Sequence, residues 1–152
     1  MNRFLFFICA VLLTLACQTK STQQLDRVVI ASPDAPAAIG PYSQAIKVGN
    51  TLYCSGQIAI DPATNQLVTE SIEAETEQVL KNLGAVLKAA GMDYSDVVSA
   101  TVFMSNIENY SRINNVYAKY FSDQPPARAA VQVANLPRNV NVEIACIAVK
   151  TR

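Results

Sequence analysis

The chain has 152 residues, 51% hydrophobic and 16% charged, with five Gly and seven Pro, a composition that fits one globular domain and excludes disorder and collagen. Twelve basic against twelve acidic side chains leave a formal charge of zero, so no surplus of cations is available for a row of phosphates and no nucleic-acid partner is expected. Histidine is absent, which removes Ser-His-Asp and Cys-His catalysis, an imidazole proton shuttle and His-containing zinc sites.

Met1-Asn2-Arg3, the apolar run from Phe4 to Leu15 broken only by Thr14, and then Ala16-Cys17 have the layout of a secretory signal. The run is too short to cross a bilayer, which takes about 20 apolar residues. A small residue directly before Cys17 resembles a bacterial lipobox, although Thr14 stands where that pattern usually has Leu; ordinary cleavage after Ala16 is the alternative. Residues 1–16 are therefore expected to be a signal peptide, residues 17–26 a polar tether with Cys17 as candidate lipidation site, and residues 27–152 the folded domain. The expectation is an exported, periplasmic lipoprotein held to a membrane only through Cys17, with a soluble periplasmic or secreted form as the alternative.

Within the domain, Arg27 to Ala31 reads as a short β-branched strand ending at Ser32-Pro33. Ser43 to Val48 and Thr51 to Ser55 flank Gly49-Asn50, a hairpin signal because Gly accepts the positive φ of the primed turns. From Ser71 to Ala90 the period changes. Thr76, Val79, Leu80, Leu83, Val86, Leu87 and Ala90 recur at three and four, and Glu73, Glu75, Glu77, Lys81 and Lys88 fall off that stripe. The spacing predicts an amphipathic helix with Ser71 as N-cap and Gly91 as stop. Val97 to Met104 predicts a strand with Val98, Ala100, Val102 and Met104 on one side. A second helix carries Ile107, Tyr110, Ile113, Asn114, Tyr117 and Phe121 and must end before Pro125-Pro126. Strands at Ala129–Ala134 and Val142–Val149 complete the order β-β-β-α-β-α-β-β, an α+β fold with a single mixed sheet and two helices on one face. The other face has no local cover, which favours assembly with further subunits.

Cys54 and Cys146 lie in apolar strand-like runs and are expected to be two separate buried thiols; no cysteines have metal-ligand spacing. Arg128 enters a late strand, and Glu143 sits in the apolar run Val142 to Ile147 on the face of Ala145, Ile147 and Val149. These two form either a structural ion pair or a solvated strand end, or else a functional couple with Arg128 gripping a carboxylate and Glu143 positioning water. Asn114 is either a buried amide satisfying backbone or a ligand contact. Gly56, after Ser55, would let a backbone or ligand approach closely, and Gly40-Pro41 gives Tyr42 a stiff mounting. The aromatics of the second helix read as packing.

Taken together, Ala35 to Ala45, Tyr53 to Ile58, Thr101-Val102-Phe103, Asn114 to Tyr117, Pro126 to Ala129 and Val142 to Ala145 closely resemble the RidA/YjgF family of reactive-intermediate deaminases, over about Ile30 to Val149. The resemblance implies a chorismate-mutase-like fold in a homotrimer with inter-subunit clefts. It also implies hydrolysis of enamine and imine intermediates, such as 2-aminoacrylate and 2-iminopropanoate, to a 2-oxo acid and ammonia without a cofactor. By the same resemblance Arg128 binds the substrate carboxylate and Glu143 holds or activates the attacking water. Tyr42, Ser55 and Asn114 would line the cleft, with Gly56 keeping it open. Ala129-Ala130 stand where many members have Ser-Cys, and Ala145 stands where a second acid is common, which bears on substrate preference. A non-catalytic trimer binding small carboxylates is the rival reading. The ribonuclease activity sometimes attributed to the family ranks last, given the zero charge and the absence of His.

Overall fold

Six strands and two α-helices form between Leu25 and Thr151, the residues that the computed structural model describes. The expected signal peptide, Cys17 and most of the tether lie outside the described residues. The strands are β1 (Arg27–Ile30), β2 (Ala45–Val48), β3 (Thr51–Gln57), β4 (Val97–Met104), β5 (Ala127–Gln132) and β6 (Val142–Val149). The helices are α1 (Ile72–Ala89) and α2 (Tyr110–Tyr120), in the order expected. Short 3-10 turns precede β4, α2 and β6. The sheet runs β1-β2-β3-β6-β4-β5 and is antiparallel except for β4 and β5, which are parallel. A parallel pair needs a crossover, and α2 supplies it.

Local chemistry explains the elements. Gly49, at φ +60°, makes the two-residue turn that pairs Val48 with Thr51. Ser71 caps α1 by accepting from Ala74 N–H at 3.1 Å. The apolar stripe of α1 is buried throughout against β3, β6 and α2; each such Leu or Val contributes on the order of 1.5–3 kcal/mol.

Glu75 corrects the sequence expectation that it lies off the stripe: it is fully buried. Its carboxylate accepts from Asn141 N–H, from Asn141 Nδ2 at 2.9 Å and from Val142 N–H at 3.3 Å. A buried carboxylate persists only with such donors, and these tie the start of β6 to α1. Val98 is a second correction. The pairing of β4 with β6 shifts register between Val97 and Ser99, so Val97 is buried, Val98 is exposed, and the inward alternation resumes at Ala100.

The two sheet faces differ. On β6, Val142, Ile144, Cys146 and Ala148 are buried beneath the helices, while Glu143, Ala145, Ile147 and Val149 take the opposite face, as period two requires. Tyr53, directly across from Ile147, is exposed on that open face. A small second core of Ile58, Ile60, Leu136 and Val140 packs with Phe103. Cys54 and Cys146 face each other across β3 and β6 as buried free thiols. The neighbouring Cys54 and then burial hold the Cys146 thiol well above its ordinary pKa. Among the described residues no helix is long and apolar enough to cross a membrane, and no cluster of three or more His, Cys, Asp or Glu could hold a metal ion.

Candidate active site

The pairing of β3 with β6 is regular through Cys54 and resumes only at Gln57, so Ser55 and Gly56 stand at an irregularity opposite the start of β6. Glu143 lies against Gly56, and a Cβ built on Gly56 would overlap the Glu143 carboxylate; this is the close approach that requires glycine. The neighbouring wall is strapped to the bulge: Ser55 N–H donates to Gln44 O at 3.0 Å, and Ser55 Oγ donates to Ser43 O at 2.7 Å. Tyr42 follows Pro41, and its hydroxyl accepts from Ile39 N–H at 3.2 Å. Asn82, buried on α1, donates through Nδ2 to Ile58 O and Ile60 O at 2.9 and 2.8 Å, fixing the far wall.

These residues line a cleft of about 490 Å³ bounded by Ile39, Gly40, Pro41, Tyr42, Ser55, Gly56, Ile58, Pro137 and Glu143. Burial raises the Glu143 carboxyl above its ordinary pKa. Among the described residues no donor compensates it, and a half-buried carboxylate without a donor is poised to hold or deprotonate water.

The second half of the site lies elsewhere. Arg128 shares its face of β5 with Ala130, which packs on the main core beneath the helices. Its guanidinium carbon sits 4.6 Å above the Tyr117 ring and 5.8 Å from the Tyr110 ring, and Nη2 donates to Tyr110 Oη at 3.3 Å. Tyr117 stacks on Phe121 with centroids 4.4 Å apart, so the platform is rigid. Burial pushes the Tyr117 phenol up to about 12, keeping it neutral beneath the cation. Arg128 forms none of the salt bridges among the described residues, whereas Arg112 is paired with Glu73 at 2.6 Å. With Asn114, Tyr117, Ala118, Phe121, Pro125 and Pro126 it lines a separate cleft of about 430 Å³. A guanidinium held over an aromatic ring, with no salt-bridge partner among the described residues, has the chemistry to accept an incoming carboxylate.

Arg128 and Glu143 thus occupy opposite faces of the sheet on either side of β4, where they register with Ala100 and Phe103. The structural ion pair that their sequence context allowed does not form within the chain. Tyr42, Ser55 and Gly56 do gather around Glu143, and Asn114 lies with Arg128. Asn114 is half-buried rather than buried, and among the described residues its side chain makes no hydrogen bond to backbone. The sequence reading missed Tyr110 and Tyr117 as the frame of Arg128, because helical spacing marks an aromatic as core without showing what lies over its ring. It also missed Pro137, carried to the cleft by a turn in which Arg138 and Asn139 take φ +56° and +57°.

A family described as Endoribonuclease L-PSP matches residues 32–150. The 2-iminobutanoate/2-iminopropanoate deaminase of Bos taurus is 52% identical over 126 residues, 83% of this chain and 92% of that protein. Among solved structures, the Rid-family protein YyfA of Yersinia pestis is 48% identical with a TM-score of 0.80, covering 82% of this chain and 100% of that one. The E. coli protein TdcF, solved with bound serine, is 35% identical with a TM-score of 0.79, covering 82% and 100%.

Proposed function

This chain belongs to the RidA/YjgF family, and from that premise we propose that it hydrolyses small 2-imino acids and their enamine tautomers to 2-oxo acids and ammonia. The observation that carries this reading is the Arg128 guanidinium, 4.6 Å from the Tyr117 ring centroid and free of any salt bridge among the described residues, lining a small cleft. Arg128 binds the substrate carboxylate through its planar fork. Glu143 takes a proton from water as the oxygen attacks C2. It returns that proton to nitrogen to give the neutral carbinolamine, and then carries the carbinolamine hydroxyl proton to the same nitrogen as the C–N bond breaks, so that the 2-oxo acid and ammonia leave and Glu143 is again a carboxylate. The imine carbon is already electrophilic, so orientation supplies much of the acceleration and the reading calls for no cofactor.

Because the two half-sites lie on opposite faces of one chain, the reading includes a homotrimer in which the Glu143 cleft of one copy meets the Arg128 cleft of the next. The exposed Tyr53, Val131 and Ile147 are the apolar surface such an assembly would cover. Tyr42, Ser55 and Asn114 then line a composite pocket. A ribonuclease reading of the family description has to contend with a formal charge of zero and no histidine.

We further infer that the enzyme works outside the cytosol, on the strength of the apolar Phe4–Leu15 run before Ala16-Cys17. Radiolabelled palmitate should enter the full-length chain and be lost in Cys17→Ser; labelling of neither would overturn the anchor. The activity is tested with 2-iminopropanoate generated in place from alanine by an amino-acid oxidase. Imine loss above the buffer rate supports the deaminase. Loss at the buffer rate with retained pyruvate binding leaves the non-catalytic carboxylate-binding trimer.

A further inference from the structure

Tyr110 opens α2, is exposed and lies beside Arg128, with no part in the chemistry above. Its oxygen accepts from Arg128 Nη2 at 3.3 Å. Asn114, one turn further along α2, lines the same cleft as Arg128. A phenol oxygen has two lone pairs and one proton. With the guanidinium donating to one lone pair, the O–H remains available as a donor beside Arg128. Among the described residues that proton meets no acceptor.

We propose that Tyr110 is a further substrate-binding residue, whose hydroxyl donates to the same carboxylate that Arg128 grips and so completes a three-donor receptor for a small 2-oxo or 2-imino acid anion. The proposal rests on the functional reading above for the nature of the ligand. Electrostatics support it. Asn114 first, and the charge of Arg128 second, hold the phenol below the ordinary tyrosine pKa, and a more acidic hydroxyl is a stronger donor to an anion. Arg128 from β5 is the charged group facing Tyr110, and Asn114 from its own helix is neutral. Ionisation of Tyr110 therefore turns a donor into a repelling anion beside the bound carboxylate, and binding should weaken as pH rises toward that ionisation.

The test compares the full chain with Tyr110→Phe, which keeps the ring under Arg128 and removes only the hydroxyl. Pyruvate binding is followed by NMR titration and 2-iminopropanoate turnover by imine loss. The expected result is a rise of about tenfold in both the pyruvate Kd and KM, the size of effect one charge-assisted hydrogen bond carries, with kcat within about twofold. The alkaline weakening of pyruvate binding should also disappear in the variant. Unchanged Kd and KM in Tyr110→Phe beside an active parent overturn the proposal and leave the deaminase reading standing. Weakened pyruvate binding in the variant of a parent that does not turn over imine upholds Tyr110 and removes the deaminase. A parent that neither binds nor turns over removes both.

Discussion

Arg128 is distinguished less by its charge than by what surrounds it: two tyrosine rings, an amide and no carboxylate. Lysine would keep the charge but not the flat fork or its stacking on Tyr117. Arg128→Lys should therefore lower kcat/KM for 2-iminopropanoate by about a hundredfold, mainly through KM, as steady-state kinetics would show. Glu143 presents the opposite case, a carboxylate whose ionised form the protein does not stabilise. As the base it must be deprotonated, and its pKa is raised, so kcat/KM should fall on acidification with a midpoint above the ordinary value of 4.5. Glu143→Gln should abolish that acid limb and cost about 10²–10⁴ in rate. Linkage gives the sign of the stability effect. A carboxyl whose folded pKa is raised opposes folding at neutral pH, so Glu143→Gln should leave Tm equal to or slightly above that of the parent in a thermal melt.

At the scale of elements, the site depends on how α1 grips β6. Glu75 satisfies three donors of Asn141 and Val142 immediately before Glu143. Glu75→Ala would leave the buried Val142 N–H unpaired and release the Asn141 donors to solvent, and should cost about 1–3 kcal/mol in chemical denaturation, with loss of activity at temperatures below the parent's melting point. The sequence made the elements themselves readable, because the α1 stripe, the Gly49-Asn50 turn and the β6 alternation are set by residues within a few positions of one another. Glu75 was not readable in this way: its burial is decided by donors 66 and 67 positions away. Nor was Val98, whose outward turn is set by a shift against β6. Arg128 and Glu143 stood out as candidates by residue type and by resemblance, and the face of Glu143 was legible by period two. The face of Arg128 was not, because β5 begins at Ala127 rather than Ala129 and takes its orientation from a parallel pairing with β4.

For the whole molecule, the decisive fact is that one fold presents acid and guanidinium back to back. If clefts form between copies, each needs Glu143 from one chain and Arg128 from another. Equal amounts of Arg128→Ala and Glu143→Gln, separately inactive, should after co-refolding recover about a quarter of the parent activity, since half of all chains supply each intact group at random. No recovery would overturn the composite site, since the two groups do not share a cleft within one chain. Helical and strand content is complete in a lone copy, whereas on the proposed reading a lone copy holds only half of each site. Dilution below the concentration at which copies dissociate should then silence turnover while circular dichroism stays unchanged, and the concentration of the protein itself would act as the throttle on its chemistry.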